Sequence, residues 1–99
     1  MEFEWDEAKV ASSLAKHGIT FNAAAVALAA PGAVLRPDDR RDYGELRWIA
    51  LVETEITLLT IVLTRREDRI RIILARKANR HEHNTYAQSK VYRRGPEGA

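Results

Sequence analysis

Cysteine is missing from all 99 residues, which removes disulfides, thiolate zinc sites and cysteine nucleophiles together. No apolar run approaches the roughly 20 residues that a membrane helix needs. The opening, Met-Glu-Phe-Glu-Trp-Asp-Glu, is acidic where a secretory signal is basic and then apolar. These absences lead to the expectation of a cytoplasmic protein with no membrane partner. A phosphate loop, a dinucleotide fingerprint and a Gly-x-Ser-x-Gly elbow are also lacking, so the enzyme classes built on them are excluded. Proline and glycine are few, at 3 and 5, and they act as punctuation: Gly18, Pro31-Gly32, Pro37, Gly44 and the Gly95-to-Gly98 end.

What is present is an ordinary globular mixture, 45% hydrophobic and 30% charged. That length and composition allow one domain with a modest core, taken as residues 1–92, with 93–99 expected as a disordered tail. The net charge of +2 conceals a division. Residues 1–64 hold 6 Lys/Arg against 10 Asp/Glu, and residues 65–99 hold 10 against 4. Such asymmetry fits a polyanion bound at the basic end, or two ends that neutralise each other in the fold.

Hydrophobic patterning predicts the order β-α-α-β-β-β-β-α, an α+β domain with helices packed on a small antiparallel sheet. Phe3 to Trp5 reads as a short strand. Asp6 is a helix N-cap, and Gly18 terminates that helix after Lys16 and His17. Thr20 or Asn22 caps an Ala-rich helix that ends at Pro31-Gly32. Ala33 to Arg36 is a short strand, and Pro37 to Gly44 a charged surface loop expected to be mobile. Leu46–Val52, Ile56–Thr64 and Arg69–Ala75 are three antiparallel strands joined by short turns. Asn79, with Glu82 three residues on, has capping-box spacing and opens the last helix, expected to reach about Val91.

The chemistry concentrates between Arg65 and Tyr86, where a basic strand runs through Ala-Arg-Lys-Ala into a helix carrying His, Glu and Tyr. Guanidinium groups grip phosphate, and imidazole, carboxylate and phenol move protons. Strict alternation along the strand sets Arg76 opposite Arg69 and Arg71, so no continuous basic stripe is expected. His81 and His83, two apart on a helix, point in different directions and do not make a metal pair. No metal and no cofactor are expected.

Several residue groups together resemble the BrnT toxin family: Trp5-Asp6-Glu7 with Lys9, Lys16-His17-Gly18-Ile19 with Phe21, and Glu45 with Arg47. Thr64 and Arg66 at a hairpin, Arg71-Ile72-Ile73, Ala75-Arg76-Lys77-Ala78, Glu82 and Tyr86 continue the match across roughly residues 3–88. The resemblance implies a RelE-like fold and a metal-independent endoribonuclease, the toxin half of a type II toxin–antitoxin pair. It further implies a BrnA-like ribbon-helix-helix antitoxin, a heterotetramer with it, and operator DNA bound only through that complex. The alternative is a non-catalytic or degenerate module that binds antitoxin and aids repression.

Metal-free RNA cleavage needs a base for the 2′-hydroxyl, cations for the pentavalent phosphate and an acid for the leaving 5′-oxygen. Arg76, at a strand end beside a helix N-terminus, is the first choice for the cation. Lys16, His17 and Glu45 are the other catalytic candidates, and Arg66, Arg47, Lys77 and Tyr86 the candidate RNA or phosphate contacts. Each has a bland counterpart. Arg76 and Arg66 can be surface charge, Glu45 and Arg47 a same-face ion pair, and His17 a helix–strand brace. Tyr86 can be packing on the sheet, and Glu82 is better read as a helix cap than as a catalyst.

Overall fold

The computed structural model describes residues 2–40 and 42–98, with side chains described for 2–40 and 42–89. Among these residues the elements run β1 (Glu2–Trp5), α1 (Val10–His17), α2 (Phe21–Ala29), β2 (Val34–Pro37), β3 (Arg47–Glu53), β4 (Leu58–Arg66), β5 (Arg69–Lys77) and α3 (Arg80–Gly98). This is the α+β order that the patterning predicts. The segment expected as a tail, 93–99, falls where side chains lie outside the described residues.

Local chemistry sets the boundaries. The Asp6 carboxylate accepts the Ala8 N–H at 3.0 Å and caps a 3-10 turn, Glu7–Lys9, that leads into α1. Gly18 ends α1 in the left-handed region at φ +72°, where a side chain would be strained. Thr20, not Asn22, caps α2, its hydroxyl accepting the Ala23 N–H at 3.0 Å. Strand β4 starts two residues later than expected. The Thr54 hydroxyl donates to the Thr57 carbonyl at 2.6 Å and accepts the Thr57 N–H at 3.1 Å, so residues 54–57 form the turn. Ile56 is left 90% exposed at its tip.

The sheet order is β1-β5-β4-β3-β2, antiparallel except for the parallel β1–β5 edge. On its front face Phe21, Ala24 and Ala27 of α2 pack on Ala50, Val52, Leu59, Ile61, Leu63, Ile72 and Ala75. Trp5 meets the Phe21 ring in a tilted contact with centroids 6.1 Å apart. The back face has a smaller core of Ile49, Leu51, Leu58 and Val62, against which Leu74, Ala78 and Tyr86 pack from β5 and α3.

The expected alternation along β5 fails at one place. Val62 pairs with Leu74 and Leu63 with Ile72, so Ile73 is an extra residue on β5. A bulge of this kind resets which face the following side chains occupy. Ile70 and Ile72 face front, and so do Ala75 and Lys77. Arg69, Arg71, Leu74 and Arg76 all face back, as their pairing with Arg66, Thr64, Val62 and Thr60 shows. The expectation that Arg76 lies opposite Arg69 and Arg71 is therefore overturned.

Candidate functional site

The back face divides into two halves. At one end α3 covers it, and there Arg76 meets Glu82. The two guanidinium nitrogens of Arg76 donate to the two carboxylate oxygens of Glu82, both at 2.8 Å. The same carboxylate accepts the Asn79 N–H at 2.8 Å, while the Asn79 side-chain oxygen accepts the Glu82 N–H at 2.9 Å. The capping box is thus formed, and the anion at this helix N-terminus is the protein's own. Burial alone would raise the Glu82 carboxyl. The Arg76 guanidinium, the Asn79 N–H, the nearby Thr60 hydroxyl and the Arg76 charge instead lower it from an ordinary 4.5 to about 2. Thr60 pairs with Arg76 across the sheet, and its buried hydroxyl makes no hydrogen bond of ordinary geometry. Arg76, placed first as the phosphate cation, is here a bidentate partner of a buried carboxylate.

At the other end the back face is open and carries two rows of polar side chains. Glu4, Arg71, Thr64 and Arg47 are register partners across β1, β5, β4 and β3. Glu2, Arg69 and Arg66 form the next row, which Glu45 completes just before β3. Arg71 reaches Glu4 at 2.8 Å, and Arg69 reaches Glu2 at 3.1 Å and Glu4 at 3.7 Å. The Glu4 carboxyl is lowered chiefly by its hydrogen bond from Arg71. Neutralisation between the acidic start and the basic end of the chain is thereby realised along the β1–β5 edge. Thr64 is buried and donates to the Leu46 carbonyl at 2.5 Å, tying β4 to the segment that carries Glu45.

Glu45 sits between two guanidinium groups, Arg47 at 3.3 Å and Arg66 at 3.6 Å. Its side chain is 29% exposed, so it is held without being sealed off. The Arg47 guanidinium also lies 4.1 Å from the centre of the Tyr43 ring. The charged loop before β3 carries a buried carboxylate, Asp38. That carboxylate is fully buried and accepts both the Nε and a terminal nitrogen of Arg40, at 2.7 and 2.9 Å. The Arg40 side chain lowers the Asp38 carboxyl against the opposing effect of burial, with the Arg40 N–H, its charge and the Tyr43 hydroxyl adding, to about 2. Asp38, Arg40 and Tyr43 were not singled out in the sequence. The only signal for them was a dense alternation of Asp and Arg, with one aromatic, in a loop.

The expected site residues therefore separate. Glu45, Arg47 and Arg66 come together on the open back face. Arg76 lies under α3, and Tyr86, on that helix, packs on the back-face core. Lys16 and His17 end α1 in the front layer, and neither makes a hydrogen bond or ion pair with the residues above. Lys77 is exposed on the front side of β5 and shares a groove with Gly18 and Ile19, beside that helix end. The sheet thus separates Lys16, His17 and Lys77 from Arg76 and Glu45. Among the described residues no three His, Asp or Glu side chains are arranged to hold a metal. Among the same residues no helix is long and apolar enough to cross a membrane.

Against known proteins, no curated sequence matches the chain closely. The family model described as the ribonuclease toxin, BrnT, of type II toxin–antitoxin systems matches residues 5–82, a span holding every element from the end of β1 to the start of α3. The chain belongs to the BrnT ribonuclease toxins of type II toxin–antitoxin systems.

Proposed function

We infer that this toxin is a metal-independent endoribonuclease that cleaves mRNA in the cytoplasm through its open back face. The observation that carries the reading is the Glu45 carboxylate held between Arg47 and Arg66. In this mechanism Glu45 takes the proton of a ribose 2′-hydroxyl, and the freed oxygen attacks the adjacent phosphorus. Arg66 and Arg47 turn from the carboxylate to the phosphate oxygens as negative charge grows there. The bond from phosphorus to the 5′-oxygen breaks, the leaving oxygen takes a proton from solvent, and a 2′,3′-cyclic phosphate remains. Arg76 acts at one remove by fixing α3 to the sheet, and Lys16, His17 and Lys77 are left as RNA contacts on the front side. A BrnA-like antitoxin is the neutralising partner, and operator DNA is bound through their complex.

One observation favours the non-catalytic reading. On the open face Arg47, Arg66, Arg69 and Arg71 are each already paired with Glu2, Glu4 or Glu45, which leaves little charge for RNA. Purified protein incubated with RNA in EDTA decides between them. The expected outcome is cleavage by wild type, with kcat reduced about 10²- to 10⁴-fold in Glu45→Gln. RNA left intact by wild type, with antitoxin still bound, would establish the non-catalytic module. Cleavage undiminished in Glu45→Gln would remove that residue as the base.

A further inference from the structure

The front face of the sheet is only half covered. Helices α1 and α2 pack over the end holding Ala75, Val52 and Leu59. Beyond the end of α2 an apolar groove of about 640 Å³ crosses the strands. Its floor takes a side chain from every strand, namely Phe3, Ile70, Leu63, Trp48 and Leu35, and its wall comes from Leu28 and Ala29 in the last turn of α2 and from Ala33 after it. Leu35 is 56% exposed. Five strands at the usual spacing span about 19 Å, the length of roughly 13 helical residues.

Among the described residues the single charged side chain lining this groove is Arg65. On the back face Arg47, Arg66, Arg69, Arg71 and Arg76 each meet a carboxylate. Arg65 differs: among the described residues it meets no carboxylate, and its Nε donates to the Glu67 backbone carbonyl at 3.2 Å. An apolar trough with one cation that lacks a carboxylate calls for an amphipathic segment with an acidic residue among its apolar ones.

We propose that this groove is the anchor site for an amphipathic helix of the antitoxin, with a carboxylate of that helix paired to Arg65. The proposal rests on membership of a toxin–antitoxin family and not on the ribonuclease mechanism. It places the anchor on the opposite side of the sheet from Glu45. Holding the antitoxin and silencing the toxin are then separable: one segment anchors in front while another must reach round to the back face.

The test is calorimetric titration of the purified toxin with the purified antitoxin from the same operon, in the absence of RNA. Leu35→Glu and Arg65→Glu should each weaken binding at least tenfold, while Ile56→Glu, at the exposed turn outside the groove, should bind as wild type. Thermal melts confirm that each variant is folded, and RNA cleavage by Leu35→Glu without antitoxin should equal that of wild type. Wild-type affinity in both groove variants would overturn the proposal. So would a wild-type dimer, seen by light scattering, that Leu35→Glu dissociates, because the occupant would then be a second copy of the chain. Failure of wild-type RNA cleavage would refute the catalytic reading alone and leave this binding measurement intact.

Discussion

Glu82 shows how one residue can serve both helix and sheet. Its carboxylate caps α3 through Asn79 and receives the Arg76 guanidinium from β5, so helix start and strand end share one anion. Removing one partner of a buried ion pair leaves the other charge uncompensated, at a cost of about 3–5 kcal/mol. Glu82→Gln should accordingly lower stability by about 3 kcal/mol, read from the urea midpoint. Arg76→Ala should lower it as well, and the double mutant should cost less than the two single changes added. Additive losses would show that the residues act independently. The cap was legible because its spacing is local and repeats across proteins. Arg76 as the second partner was not, since a contact between a strand end and the helix after it depends on the turn between them.

At the scale of elements, Ile73 has the widest consequence. One extra residue in β5 turns Leu74 and Arg76 to the back face, joining them to Arg69 and Arg71. Were Ile73 instead taken into the regular pairing, Leu74 and Arg76 would turn to the front face and Ala75 to the back. Deleting Ile73 removes the bulge and leaves Ile72, Leu74, Ala75 and Arg76 in unbroken alternation with the same partners, so the variant should keep a cooperative melt, followed by circular dichroism. A deletion variant without a cooperative melt would show that the sheet depends on the bulge itself. The strands themselves were visible as apolar runs bounded by Gly, Pro and charged turns. The bulge was not, because Ile70, Ile72, Ile73 and Leu74 are all apolar and no alternation marks where the phase slips. The loop before β3 was hidden for a related reason: an Asp-rich run reads as solvated until one carboxylate, Asp38, is seen buried against Arg40.

For the whole molecule, charge is arranged as paired rows, and this sets the response to acid. Glu82 and Asp38 have carboxyls lowered in the folded state, from 4.5 and 3.8, each to about 2. A lowered folded pKa stabilises the protein above the unfolded value, and that stability is lost as pH falls towards the folded one. The urea midpoint should thus be steady above about pH 5 and fall steeply between about pH 4.5 and 2. Asp38→Asn and Glu82→Gln should each flatten that fall; an unchanged slope in both would place the acid-sensitive groups elsewhere. The sequence by itself determined the order of elements, the caps at Asp6 and Asn79, and the family, because these depend on neighbours a few residues apart or on residue types in order. Only the tertiary structure decided which charges share a face. It separated Lys16, His17 and Lys77 from Glu45, engaged Arg76 with Glu82, and gathered Glu45, Arg47 and Arg66 from the start of β3 and the end of β4. Those outcomes turn on strand register and on one bulge, and a slip of a single residue would reverse them.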